Sequence, residues 1–158
     1  MLVGVAGLVF LADLVTKTLV RSRLEMYQSW PSADWPVHIT RITNSGAAFG
    51  ILQNENVLLI FTSLIGLAAI LFYLFYPPFE HPLLRVALGM QLGGALGNLV
   101  DRLRYGEVTD FISFPHWPTF NVADSCITVG VIVLATFLLL RDGGRETRAE
   151  SGEPEDHR

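Results

Sequence analysis

The sequence is short of charge. Asp, Glu, Lys and Arg make up 16% of its 158 residues, against 51% hydrophobic residues, whereas a soluble domain carries about a quarter charged. It has no basic patch and no alternation of basic and aromatic residues, so nucleic acid is not an expected partner. It has one cysteine, Cys126, which excludes an internal disulfide and makes a poor zinc site. That thiol reads as a small buried core residue. The histidines His38, His81, His116 and His157 fall in expected loops or the tail without metal-ligand spacing, so no metal and no cofactor is expected. No serine–histidine or cysteine–histidine arrangement stands out. The net charge of −4 says little about partners, because much of the acid lies in the tail.

Apolar runs fill the space that charge leaves. Stretches at 2–20, 57–76, 83–100 and about 122–140 approach the ~20 residues needed to cross a bilayer. The first lacks a basic n-region and carries Asp13 and Lys17 where a cleaved signal peptide would be apolar, so it reads as a retained span. We therefore expect an all-α membrane protein of four transmembrane helices. After the first helix, residues 21–56 contain the alternating, β-branched phrase Val37-His38-Ile39-Thr40-Arg41-Ile42, which reads as a strand. Trp30 and Trp35 flank it and suit a membrane interface. A small extramembrane β cradle is expected there. Pro77-Pro78-Phe79-Glu80-His81-Pro82 forms a tight turn between the second and third spans, and Pro115 and Pro118 mark the connection 102–120. Residues 1–140 form one domain, and the charged tail 141–158 is expected to be disordered. Four spans place both termini on one side. Arginines 85, 141, 145 and 148 nearly balance 21, 23, 41, 102 and 104 on the other, so the positive-inside rule leaves orientation open.

Carboxylates beside lipid need a reason to be there. Asp13 and Lys17 are four apart and share a helix face, which reads as a self-neutralising ion pair. Gly89, Gly93 and Gly97 form a small-residue stripe for close helix approach, and Asp101 continues it with Asn98 nearby. Asp101-Arg102 reads as a structural and substrate-positioning pair. Asn121 is placed to cap the last span, putting Asp124 at N3, where the helix dipole favours a carboxylate. Asp110 and Asp124 are left without an evident counter-ion. Two close carboxylates share a proton; Asp124 is expected to be the more readily ionised member and Asp110 the holder of that proton. A proton-coupled transporter also keeps carboxylates in its spans, but neither internal repeats nor broken helices are visible. A non-catalytic scaffold would explain the glycine stripe and not the two carboxylates.

These phrases together resemble the bacterial lipoprotein signal peptidases, the type II signal peptidases, over roughly residues 1–140. The matching motifs are Asp13-Leu14-Val15-Thr16-Lys17, Asn44-Ser45-Gly46-Ala47-Ala48-Phe49-Gly50, the run from Gly93 to Arg102, Val108-Thr109-Asp110-Phe111 and Phe120-Asn121-Val122-Ala123-Asp124. The resemblance implies an aspartyl endopeptidase of the bacterial inner membrane, acting as a monomer among membrane lipids. It implies cleavage of diacylglyceryl-modified prolipoproteins just before the lipidated cysteine, and inhibition by globomycin. By the same resemblance, Asp110 and Asp124 are the catalytic dyad. Asn44, Gly46, Asn98, Asp101, Arg102 and Asn121 line or support the site, and Asp13 and Lys17 form a supporting pair. Both termini would be cytoplasmic, with the dyad toward the outer face.

Overall fold

The computed structural model describes residues 1–46, 55–76 and 81–150, the side chains of 142–150 excepted. Four helices are long and apolar enough to cross a membrane: α1 (Leu2–Arg23), α2 (Asn56–Phe75), α3 (Pro82–Tyr105) and α4 (Val122–Glu150). Between them lie strands β1 (Ser29–Trp30), β2 (His38–Asn44), β3 (Val108–Phe114) and β4 (Trp117–Phe120).

Helix α3 is the centre of the bundle, because its glycines let neighbours approach. A Cβ on Gly89 would stand 2.8 Å from the Leu2 carbonyl, and one on Gly93 or Gly97 would run into the Ala6 carbonyl or the Asp13 carboxylate. The stripe expected from the sequence therefore faces α1. Gly94 and Gly130 do the same work toward α4, where a Cβ would meet the carbonyls of Ala123 and Ala87 at 2.6 Å. These contacts run α3 parallel to α1, with Leu2, Ala6 and Asp13 against Gly89, Gly93 and Gly97, and antiparallel to α4. Helix α2 is different. It has no charged residue and buries only Leu59, Leu67 and Ile70, leaving Phe61, Ile65 and Phe72 for lipid.

Caps fix where α3 begins and ends. Pro82 opens it, with the His81 side chain accepting from the Leu83 N–H. Gly106 closes it at φ 78°, a left-handed position that glycine adopts without strain.

The sheet is antiparallel in the order β1-β2-β3-β4, and half of it comes from where no strand was expected. The sequence of the connection 102–120, marked by Pro115 and Pro118, predicts a loop. Instead, Val108-Thr109-Asp110-Phe111-Ile112-Ser113-Phe114 pairs with β2, setting Ile42 opposite Asp110 and Thr43 opposite Thr109. The prolines do not prevent this. Pro115 with His116 at φ 62° makes the turn, the pattern of a type II turn, and Pro118 lies on the edge strand β4, where a missing N–H is tolerated. The strand expected at 37–42 is β2, and Trp30 and Trp35 are exposed beside it. The residues 47–54 of the expected cradle, including Ala47-Ala48-Phe49-Gly50, and 77–80 of the expected turn lie outside the described residues.

Residues 141–150, expected to be disordered, continue α4. Residues 151–158 lie outside the described residues. Cys126 is half-buried on α4 rather than enclosed in the core.

Candidate active site

The end of α1, the start of α2, the end of α3 and the start of α4 meet the sheet at one end of the bundle. Asn56 at the start of α2 donates to the Arg102 carbonyl near the end of α3, and Arg21 near the end of α1 donates to Asp101. Asp13, Lys17, Asn44, Asn98, Asp101, Arg102, Asp110, Asn121 and Asp124 are joined by contacts toward this end.

Asp110 sits on β3 and is 2% exposed. Asp124, in the first turn of α4, is half-buried. Asparagines join them. Asn121 donates from Nδ2 to Asp110 Oδ1 at 2.7 Å, while its backbone N–H donates to Asp124 Oδ2 at 3.3 Å. Its own Oδ1 accepts from the Asp124 N–H at 2.9 Å. The pair thus forms a reciprocal cap at the start of α4, as the Asn121–Asp124 spacing suggested. Asn44 donates to Asp110 Oδ2 at 2.9 Å, and Asn98 to Asp124 Oδ1 at 2.8 Å. Each of the four carboxylate oxygens therefore accepts one N–H.

Burial pushes the Asp110 carboxyl from 3.8 up to about 7, and the Asp124 charge adds to the rise; hydrogen bonds from Asn44 and Asn121 and the nearby Lys17 partly oppose it. Both carboxylates face a cavity of about 820 Å³. Its walls include Asn44, Gly46, Asn98 and Arg102 together with apolar residues such as Phe120 and Ile127. Arg102 reaches the Gly46 carbonyl at 3.4 Å. The cavity has room for a substrate of appreciable size, with a fixed cation and two acids among its lining residues.

Asp13 and Lys17 form the expected pair, with Lys17 Nζ 2.7 Å from Asp13 Oδ2 and exposures of 1% and 0%. Asp13 Oδ1 also accepts from the Ala123 N–H, so the pair ties α1 to the start of α4. Asp101 and Arg102, expected to serve as a structural and substrate-positioning pair, face different neighbours. Successive residues on a helix point about 100° apart, so Asp101 turns to α1 and Arg102 to the cavity. Asp101 accepts from Arg21 at 3.0 Å and lies 3.6 Å from Lys17. It also accepts the Thr109 N–H at 3.1 Å, while Arg21 donates to Thr109 Oγ1 at 2.9 Å. Two residues missed in the sequence thus fix β3 immediately before Asp110. Arg21 was visible as the next step in the four-residue ladder Asp13, Lys17, Arg21. Thr109 carried no signal apart from the unexpected strand. His38 bonds the Trp35 carbonyl and His116 is an exposed turn residue.

A model of the family described as Signal peptidase (SPase) II matches residues 5–140. The chain belongs to the signal peptidase II family. It is similar to the lipoprotein signal peptidase of Moorella thermoacetica, at 43% identity over 144 residues, covering 89% of this chain and 95% of that one. It is likewise 43% identical to the lipoprotein signal peptidase of Symbiobacterium thermophilum, covering 81% of this chain and 87% of that one. Two solved bacterial membrane enzymes share the fold. One, at 2.3 Å resolution, superimposes with a TM-score of 0.84 at 28% identity, covering 99% of this chain and 94% of that one. The other, at 1.9 Å, gives 0.79 at 32% identity, covering 87% and 92%. This member of the signal peptidase II family is a multi-pass membrane protein and, by class, an aspartic endopeptidase.

Proposed function

We propose that the chain removes signal peptides from diacylglyceryl-modified prolipoproteins, cutting before the lipidated cysteine, with Asp110 and Asp124 as the catalytic dyad. The observation that carries this reading is the pair of carboxylates at one cavity, each of whose oxygens is held by an N–H donor. The other acids of the region, Asp13 and Asp101, are occupied by Lys17 and Arg21.

In the proposed reaction, Asp124 takes a proton from a water while the Asp110 carboxylic acid donates to the scissile carbonyl. Water oxygen bonds to the carbonyl carbon, giving a tetrahedral diol as Asp110 yields its proton. Asp124 then returns its proton to the amine, the C–N bond breaks, and Asp110 recovers a proton from the diol. The deep burial of Asp110 and the more open position of Asp124 suit these roles. Arg102, with Asn44 and Gly46 beside it, holds substrate peptide groups. Asn98 and Asn121 hold the dyad, and Asp13, Lys17 and Asp101 hold the elements that carry it. Acyl chains of the substrate dissolve in the bilayer, so it arrives laterally. Globomycin competes for the same cavity.

The protein lies in the bacterial inner membrane as a monomer, with both termini cytoplasmic and the dyad toward the outer face. The sheet and dyad at the end of the bundle opposite the Met1 end of α1 support that placement.

The test is cleavage of a diacylglyceryl prolipoprotein by the purified protein in lipid nanodiscs, with mass spectrometry of the new N-terminus. The expected product begins at the lipidated cysteine and disappears with globomycin. Equal cleavage of the unlipidated precursor, or a cut elsewhere, overturns the reading.

A further inference from the structure

The three asparagine amides around the dyad present nitrogen to a carboxylate because something else occupies their oxygens. Asn44 Oδ1 accepts the Gly46 N–H at 2.9 Å, and Asn121 Oδ1 accepts the Asp124 N–H at 2.9 Å. Those two orienting donors are backbone. Asn98 is different. Its Oδ1 accepts Lys17 Nζ at 2.8 Å and the Asn121 Nδ2 at 3.2 Å. Its strongest orienting donor is therefore a side chain from another helix, 81 residues away in sequence.

An amide's oxygen and nitrogen are nearly the same size, so shape alone does not choose between its two orientations. Chemistry does. A flipped Asn98 would aim N–H at Lys17 and oxygen at the Asp124 carboxylate, facing donor with donor and acceptor with acceptor. Lysine has donors only, and at 1% exposure Lys17 is shielded from bulk solvent.

We infer that Lys17 is a positioning residue for the Asp110–Asp124 dyad: by holding the Asn98 carbonyl it aims the Asn98 N–H at Asp124. This rests on the dyad reading above and adds a second task to the pair with Asp13. The charged groups facing this point are Lys17 and Asp13 from α1, Asp101 and Arg102 from α3, and Asp110 from β3. Among them Lys17 alone bonds Asn98. Loss of that N–H takes from the dyad one donor that favours its charged form, so the acid limb of the pH–rate profile, which belongs to the pair, moves up. Hydrogen bonds to charged groups are worth about one pH unit or more on this scale.

The test is the pH dependence of kcat for cleavage of the lipidated precursor. Asp13→Asn/Lys17→Met removes both charges together and so avoids an orphaned buried ion. It is expected to lose about tenfold in kcat with KM within about twofold, and to move the acid limb up by about one pH unit. Asn98→Ala is expected to move the limb equally, and the triple variant no further, because both changes remove one interaction. Lys17→Arg keeps a donor and is expected to restore much of the limb. An unmoved limb in the double variant, or full additivity in the triple, overturns the inference. If the double variant does not fold, Asn98→Ala is expected to move the limb and Asp13→Asn to leave it; a limb that moves in neither overturns the inference. Asp124→Asn serves as the control. Its full activity would sink the dyad reading itself, an outcome separate from any result at Lys17.

Discussion

Two acid clusters meet at the same end of α3 and are built in opposite ways. On the α1 side, Asp13 and Asp101 face Lys17 and Arg21 at 2.7–3.6 Å. On the cavity side, Asp110 and Asp124 are held by asparagine side chains and one backbone N–H, with no ion pair to either among the described residues. Asp101 and Arg102 are adjacent in sequence yet belong to different clusters. The difference lies in what the partners allow. A cation across from a carboxylate favours the charged form and keeps it there. Neutral amides support a carboxylate without cancelling its charge, so a neighbouring acid must respond by keeping its proton. One arrangement ties helices together, while the other leaves a proton available.

The sharpest way to break this comparison is to neutralise the acids one at a time. Asp110→Asn or Asp124→Asn is expected to remove about 10²–10⁴-fold of the cleavage rate while the unfolding temperature in micelles stays close to wild type. A large loss of stability instead would show that the cavity cluster is structural after all. Asp13→Ala should do the reverse. It leaves Lys17 buried without its closest partner, and a loss of about 3–5 kcal/mol is expected in chemical unfolding. A variant as stable as wild type would mean the α1 cluster is dispensable.

Gly97→Ala is a smaller perturbation at the same point, since the added methyl runs into the Asp13 carboxylate. Overpacking of this kind amounts to about 1–3 kcal/mol; Gly66→Ala on α2, where a Cβ meets nothing within 4 Å, is the matched control. A last effect is on the pH dependence of stability. With the Asp110 carboxyl raised from 3.8 to about 7, the folded state keeps a proton that the unfolded chain has released. Asp110 therefore makes stability fall as pH rises between those values. Asp110→Asn should flatten that part of the unfolding profile, and an unchanged slope would show that another group sets it.

Much of this was legible because membrane insertion makes polar residues conspicuous. The apolar runs gave the helices, the glycine spacing gave a close helix approach on α3 without naming its partner, and the Asn121–Asp124 spacing gave the cap. Strands β3 and β4 were not legible, because Pro115 and Pro118 outweighed the β-branched content around Asp110. Asp101 stands out beside Arg102 in the sequence, but its ion-pair partner Arg21 does not, because that residue comes from another helix. Interactions between distant elements were the part that local patterns could not carry.

The central claim is that the cavity cluster shares one proton, held by Asp110. Infrared difference spectroscopy of the protein in nanodiscs, scanned from acid to neutral pH, reads the carboxyl C=O stretch directly. A protonated carboxyl band that titrates near pH 7 and is absent from Asp110→Asn is the predicted result. A band that survives in Asp110→Asn and vanishes in Asp124→Asn would contradict it.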